Sequence, residues 1–122
     1  MMEAYEENGM IFNILIKNEE GLFVAHCLEL DIVATGETVD QARKDIVALI
    51  CAQVDFAFSN DNLENLYRPA PKEVWEEFFA CKERIKKKYK VERAFTKKGV
   101  APSFVPPWII ANTCQKPAFC NV

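Results

Sequence analysis

The sequence is poor in the residues that enzymes use for proton transfer near neutral pH. It contains a single histidine, His26, among 122 residues. His26 lies beside Cys27 in a segment with strand-like alternation, and neighbours along a strand point to opposite faces of a sheet. A cysteine–histidine nucleophile pair is therefore not expected. Because a lone histidine without a partner is too little for acid–base catalysis, we predict no catalytic residues and no enzymatic activity.

Long hydrophobic runs are also missing. A membrane-spanning helix needs a run of roughly 18 or more apolar residues, and no segment approaches that length. The first nine residues, MMEAYEENG, are acidic and lack the apolar stretch of an export signal. The sequence therefore predicts a cytoplasmic protein that does not enter a membrane.

Cysteine is present, but not in the patterns that bind metals or build disulfide frameworks. The chain has five cysteines and no Cys-x-x-Cys motif. Cys27, Cys51 and Cys81 fall at predicted strand or helix positions, where we expect reduced thiols in the core. Cys114 and Cys120 follow in a segment without histidine, so no metal site and no cofactor are predicted.

The first third of the chain has the pattern of a small antiparallel sheet. Residues 10–17 alternate with a period of two, as expected of a half-buried strand. Residues 18–21 end in glycine and have the length of a hairpin connection to a second strand that begins at Leu22. Residues 32–35 form a third, largely β-branched run that ends at Gly36. We therefore predict a three-stranded meander.

A helix is predicted directly after this meander. Thr38 and Gln41 have the spacing of a capping box, and an apolar stripe then runs from about Val39 to Phe58. The second half of this helix is apolar on nearly all sides, which is more than one sheet face easily covers. Either another helix of the chain covers it, or a second copy of the chain does.

The remainder of the chain has a less decisive periodicity. Residues 63–68 are compatible with a short fourth strand. An amphipathic helix is predicted over residues 71–91 from the spacing of Val74, Phe78, Cys81, Ile85 and Tyr89. Residues 1–98 are thus expected to form a single α+β domain, and residues 99–122 a Pro-rich and aromatic extended tail.

Exposed apolar side chains on these elements predict a protein–protein interface. We expect a homo-oligomer, a dimer or larger, because broad apolar surfaces on small domains commonly mark partners. The candidate interface residues come from both helices and the tail: Ile50, Val54, Phe56, Phe58, Trp75, Phe79, Phe104 and Trp108.

Charge is divided sharply along the chain. Residues 1–66 carry three basic and thirteen acidic side chains, whereas residues 67–98 carry eleven basic and five acidic ones. The basic segment from Lys82 to Lys98 has several explanations. Its lysines could complement the dipole at the end of the predicted second helix, or they could bind nucleic acid. They could also meet the acidic face of a partner protein or the acidic half of a second copy of the chain. The candidates for nucleic-acid contact are Lys86, Lys87, Lys88, Lys90, Arg93, Lys97 and Lys98.

Residues 10–58 resemble the HicB-like antitoxin family. The resemblance rests on a Gly-x-Phe-Val-Ala-x-Cys strand after an acidic turn, a short Glu-Leu link, and the glycine and threonine that open the helix. The matching positions are Gly21, Phe23, Ala25, Leu30, Gly36, Thr38 and Ala42, which in the family are mainly structural.

The resemblance implies an α+β fold with a small antiparallel sheet of three to four strands packed by helices. Such a fold is related to a truncated ribonuclease H fold, and here it would carry an extra C-terminal helix and an extended tail. It also implies a non-enzymatic antitoxin that binds and neutralises a small, basic, RNA-active toxin. No DNA-binding module is recognisable after Val91. The alternatives are a nucleic-acid-binding domain that uses the Lys82–Lys98 face, or an orphan protein of the same fold with another function.

Overall fold

The computed structural model describes residues 9–91 and 108–115. The chain has both helices and strands, so the predicted α+β class is confirmed. In chain order the elements are β1 (Gly9–Glu19), β2 (Leu22–Cys27), β3 (Ile32–Gly36), α1 (Val39–Ser59), a short 3-10 helix (Leu63–Asn65), α2 (Lys72–Phe79), β4 (Arg84–Lys90) and β5 (Trp108–Gln115).

The strands form one five-stranded sheet in the order β3-β2-β1-β5-β4. The pair β1 and β5 is parallel, and the other neighbouring pairs are antiparallel. The sheet is therefore mixed, and it is wider than the predicted sheet of three to four antiparallel strands. Among the described strands, β3 and β4 lie at the two edges of the sheet.

The predicted hairpin between the first two strands is confirmed. Glu19 pairs with Leu22, and only Glu20 and Gly21 lie in the turn. Both turn residues have positive φ angles, 54° and 89°, as the tightest two-residue hairpins require. Glycine adopts such an angle without steric cost.

The predicted first helix is also confirmed, with one change at its start. The Oγ1 atom of Thr38 accepts a hydrogen bond from the backbone N–H of Gln41 at 3.0 Å. The side chain of Gln41, however, donates to Asp45 instead of accepting from the backbone N–H of Thr38, so only half of the capping box forms. The inner face of α1 packs on one side of the sheet, and this core includes Phe12, Ile14, Ile16, Ile46, Ile50 and Val54.

The junction between β3 and α1 has no room for a side chain at Gly36. A Cβ atom there would lie 2.7 Å from the backbone nitrogen of Ala42 and 2.9 Å from the Cβ of Gln41. We expect Gly36→Ala to lower the free energy of unfolding by about 1–3 kcal/mol, because the helix start would have to shift. Urea unfolding checks this, with Thr35→Ala at an exposed neighbouring position as the control. Equal midpoints for the two variants would contradict the expected clash.

The predicted helix over residues 71–91 is wrong in its second half. α2 ends at Phe79, and residues 84–90 form β4 instead. Ile85 and Tyr89 are four residues apart, and this even spacing places them on one face of a strand as readily as on one face of a helix. Pairing with β5 decides in favour of the strand. The fourth strand expected over residues 63–68 is also absent, because Leu63–Asn65 forms a 3-10 helix.

Part of the predicted tail belongs to the sheet. Residues 108–115 are extended, but they form β5, which lies between β1 and β4 rather than on the surface of a finished domain. The boundary predicted at residue 98 therefore does not separate a sheet-forming part of the chain from an accessory arm. The remaining tail residues, including Phe104, lie outside the described residues.

A smaller core lies on the other face of the sheet, under α2. Phe78 is fully buried there with Leu15, Leu28, Ala70 and Cys114. Cys81, just after the helix, forms a disulfide bond with Cys114 of β5. The expectation that Cys81 is a reduced thiol is therefore wrong, because the sheet brings β5 to the end of α2.

The other two core cysteines, Cys27 and Cys51, are buried and are not part of a disulfide bond, as expected. Burial raises the pKa of the Cys27 thiol to about 12, so this thiol stays protonated and unreactive.

Within the part of the chain that the structure describes, neither helix has the length and apolar character needed to cross a bilayer.

Candidate functional site

One part of the sheet is left accessible beside α2. The helix lies over the end of the sheet near Leu15, where Lys17 of β1 also pairs with Glu77 of α2 at 3.1 Å. Towards the start of β1, the side chains that share this side of the sheet remain half-buried or exposed. We call these residues the open face: Ile11, Asn13, Lys86, Lys88, Lys90, Trp108, Ile110 and Asn112.

The strand register arranges the open face in three rows across β1, β5 and β4. The row nearest α2 is polar and consists of Asn13, Asn112 and Lys86. The middle row has two apolar side chains next to a cation, namely Ile11, Ile110 and Lys88. The outer row has the aromatic ring next to a cation, and it consists of Gly9, Trp108 and Lys90.

The cations of the open face come from alternate positions of the edge strand β4. Lys86, Lys88 and Lys90 are exposed and point to the same side, because side chains alternate along a strand. Their attachment points are therefore spaced by roughly 6.6 Å. The Nζ atom of Lys88 lies 4.7 Å from the centroid of the Trp108 ring. This cation–π contact keeps one cation beside the aromatic ring.

The dipole explanation for the basic segment no longer applies, since these lysines are not in a helix. Lysines on an edge strand also discourage edge-to-edge aggregation, and a single inward-pointing charge can serve that purpose. β4 instead carries a cation at every open-face position and places them beside half-buried apolar and aromatic side chains. This combination is typical of surfaces that bind polyanions with flat apolar groups.

A chain of hydrogen bonds runs into the open face from Glu29. The Glu29 carboxylate accepts from the backbone N–H of Asn13 at 2.8 Å and from the Nδ2 of the same residue at 2.6 Å. The Oδ1 atom of Asn13 in turn accepts from the Nδ2 of Asn112 at 3.1 Å. We call Glu29, Asn13 and Asn112 the amide row. It joins the β2–β3 connection to the centre of the sheet.

Burial raises the pKa of Glu29 above its ordinary value of 4.5, although the hydrogen bonds from Asn13 oppose this rise. The folded state thus holds this proton more tightly than the unfolded state does. The stabilising contribution is complete below pH 4.5 and is lost as the pH rises through the raised folded-state pKa.

We expect Glu29→Gln to remove this part of the pH dependence. Urea unfolding at about pH 4 and about pH 7 measures it, since these values lie on either side of the ordinary glutamate pKa of 4.5. Between about pH 4 and about pH 7, the free energy of unfolding should fall more for the unmodified chain than for the variant. A parallel pH dependence for both proteins would show that Glu29 does not titrate differently on folding.

The predicted interface residues do not form one surface. Ile50 and Val54 are fully buried in the core under α1, so they are unavailable to a partner of the folded chain. Phe56 on α1 and Phe79 on α2 are 45% and 61% exposed, but the two helices lie on opposite sides of the sheet. Phe58 and Trp75 are half-buried. Only Trp108 lies in the open face, and Phe104 lies outside the described residues.

The predicted nucleic-acid contacts are divided in a similar way. Lys86, Lys88 and Lys90 belong to the open face, whereas Lys87 points to the opposite side of the sheet. Three further candidates lie outside the described residues: Arg93, Lys97 and Lys98.

The Nε2 atom of His26 lies 2.7 Å from the Oδ1 atom of Asp31 at the surface, while Cys27 is buried on the α1 side of the sheet.

Sequence reasoning missed the amide row and the apolar centre of the open face. Asn13 is a polar residue within the apolar run from Met10 to Ile16, and Asn112 follows Ile-Ile-Ala in the same manner. A polar residue within an apolar run was the only local sign of the amide row. Nothing local, however, shows that the two asparagines lie side by side, since 99 positions separate them.

No protein-family model, curated protein or solved structure matches the chain. Among residues 9–91 and 108–115, no three His, Cys, Asp or Glu side chains gather in a way that could hold a metal ion. The function therefore has to be inferred from the chain's own residues and their geometry.

Proposed function

We propose that this protein is a non-enzymatic module that binds single-stranded nucleic acid on its open face. The observation that carries the proposal is the row of exposed cations on β4, Lys86, Lys88 and Lys90, beside the half-buried Trp108 and Ile110. Phosphates would contact the cations at the sheet edge. Bases would lie on the aromatic and apolar side chains, as they do on other sheet surfaces that bind single strands.

The shape of the site favours a single strand over a duplex. In a duplex the flat faces of the bases are stacked and hidden, and the major groove admits an inserted helix or two-stranded ribbon. The open face is instead a surface of three adjacent strands, with its apolar centre at Ile11 and Ile110 and its row of cations along β4. Only an unstacked strand can use both the cations and this apolar centre.

The test is a titration of fluorescently labelled single-stranded RNA and DNA with the full chain over a series of salt concentrations. Three phosphate contacts predict that log K falls against log salt with a slope of about −2. The RNA and DNA arms show whether the sugar matters, and an unlabelled duplex serves as the competitor. Absence of binding even at low salt, or equal competition by the duplex, would contradict the proposal.

We also propose, as a second candidate, an antitoxin-like role in which the chain captures a small basic partner. The supporting observation, beside the resemblance of residues 10–58, is the distribution of charge at the hairpin end of the sheet. There the β1–β2 turn, the end of β3 and the start of α1 are neighbours, and they carry Glu19, Glu20, Glu37 and Asp40. Such an end would attract a basic protein electrostatically.

This second candidate would use a HicB-like fold, a cytoplasmic location and self-association of the chain. Co-purification from the native host tests it. Recovery of a very short basic protein in stoichiometric amount supports the antitoxin role, and recovery of the chain alone contradicts it. Sedimentation of the purified chain then measures its oligomeric state, which we expect to be a dimer or larger.

A further inference from the structure

We propose that the amide row selects the base that lies on the open face, with Asn112 as the residue that reads it and adenine as the base it prefers. This inference rests on the proposed binding of single-stranded nucleic acid and adds a sequence preference to it. The cations of β4 would then supply affinity without selectivity, because contacts to phosphate carry no base information.

The orientation of the amide row is fixed from one end. In the structure the Glu29 carboxyl group acts as an acceptor, and one of its oxygens receives the hydrogen bond that the Nδ2 group of Asn13 donates. The other Glu29 oxygen accepts a hydrogen bond from the backbone N–H of Asn13. Asn13 must therefore direct its Oδ1 atom to Asn112, and Asn112 must donate to it.

The consequence is a defined set of unused groups on Asn112. One hydrogen of its Nδ2 group is given to Asn13. Within the part of the chain that the structure describes, its Oδ1 atom and its second Nδ2 hydrogen have no other hydrogen-bond partner. A primary amide that offers one acceptor and one donor matches the N6 amino group and the N7 atom of adenine.

The position of Asn112 on the sheet brings this amide to the bound strand. Along β5 it is two residues from Ile110, whose side chain is on the same face, and across the sheet it pairs with Lys86. A base that lies on Ile110 therefore has its edge beside the Asn112 amide, while its phosphate lies on the side of Lys86 and Lys88. Asn112 is half-buried, so it is accessible but restricted in its movement.

The role of Glu29 is to position Asn112 rather than to touch the base. If its carboxylate is replaced by a side-chain amide, the anchor can both donate and accept, and the row can reverse. The hydrogen-bond acceptor and donor that Asn112 offers to the base would then no longer have fixed positions. Glu29→Gln should thus weaken base selection even though it keeps the shape of the row.

The experiment measures the affinity of the full chain for labelled homopolymers of adenine, uracil and cytosine of equal length. We expect the unmodified chain to prefer the adenine polymer by about 10-fold, the range of one bidentate amide contact. Asn112→Ala should reduce the preference to less than about twofold and leave the salt slope unchanged, because no phosphate contact is lost. Glu29→Gln should also reduce it, which provides a second variant if Asn112→Ala does not fold.

Lys88→Ala is the matched control. It should weaken binding to all three polymers equally, keep the preference for adenine, and reduce the salt slope by about 0.7. Binding without any base preference, or a preference that survives in both Asn112→Ala and Glu29→Gln, overturns the role of the amide row alone. Absence of binding to every polymer overturns the nucleic-acid function itself, and the base preference with it.

Discussion

Replacement of Lys86, Lys88 and Lys90 by glutamate should weaken the binding of single-stranded nucleic acid by about 100-fold or more at low salt. The three side chains are exposed and lie on one side of the edge strand, so the change turns an attractive surface into a repulsive one. It should also remove the salt dependence, because few counterions would be released from the bound strand. The labelled-strand titration measures both effects.

The control for this variant carries the same change in net charge elsewhere. Arg43 and Lys44 belong to α1, on the opposite side of the sheet, and Lys72 is an exposed residue of α2. Their replacement by glutamate should change the affinity by no more than about threefold, since none of them belongs to the open face and solvent screens their charges. If this control loses as much affinity as the β4 variant, binding follows the net charge of the chain and not the open face.

Loss of the disulfide bond between Cys81 and Cys114 should lower the free energy of unfolding by about 3–4 kcal/mol. The bond closes a loop with a sequence separation of 33, and opening it increases the freedom of the unfolded chain. It also releases the end of α2 from β5, where Phe78 covers the smaller core. Urea unfolding of the oxidised and reduced chain measures the difference.

A variant with both cysteines replaced by alanine separates this effect from other actions of the reductant. It should have nearly the stability of the reduced chain and should not respond to reductant. Cys27 and Cys51 are buried and are not part of a disulfide bond, so they give no response to the reductant of their own. A reductant effect that persists in the double variant would show that another pair of cysteines is responsible.

Reduction should change nucleic-acid binding little in comparison with stability. α2 lies over the end of the sheet near Leu15, and the open face begins beyond it. The two large effects therefore act on separate parts of the same sheet face. The β4 variant should bind weakly and fold well, whereas the reduced chain should fold less stably and still bind.

The first half of the fold could be predicted from the sequence because its signals are local. β1 and β2 alternate with a period of two and are joined by a turn with Gly21, and Thr38 caps α1 through the backbone of Gln41. Each of these features depends on residues a few positions apart. Local propensity and tertiary pairing agree there, so the strands and the helix form where the pattern indicates.

The second half could not be predicted because distant pairings determine it. β4 has an even spacing of apolar residues that fits a helix or a strand, and only its pairing with β5 selects the strand. β5 itself pairs in parallel with β1 from the other end of the chain. Cys81 and Cys114 are likewise too far apart in sequence, by 33 positions, for a local pattern to predict their contact.

The candidate site was predicted by residue type but not by arrangement. The sequence identified the basic segment, but the expected helix would have distributed its lysines around the helix surface. The strand instead places Lys86, Lys88 and Lys90 on one side. The amide row required β5 to lie beside β1, so the role of Asn13 and Asn112 could not be recognised from local pattern.

The measurement that tests the open face most directly is a map of amide chemical-shift changes by NMR when a single-stranded adenine oligonucleotide is added to the full chain. Binding on the open face predicts that the largest changes lie in β4, in β5 and in the part of β1 from Gly9 to Asn13. Val33 and Thr35, on the same side of the sheet but beyond α2, should change little. Changes concentrated on α1 or at the β1–β2 turn, or no changes at all, would contradict it.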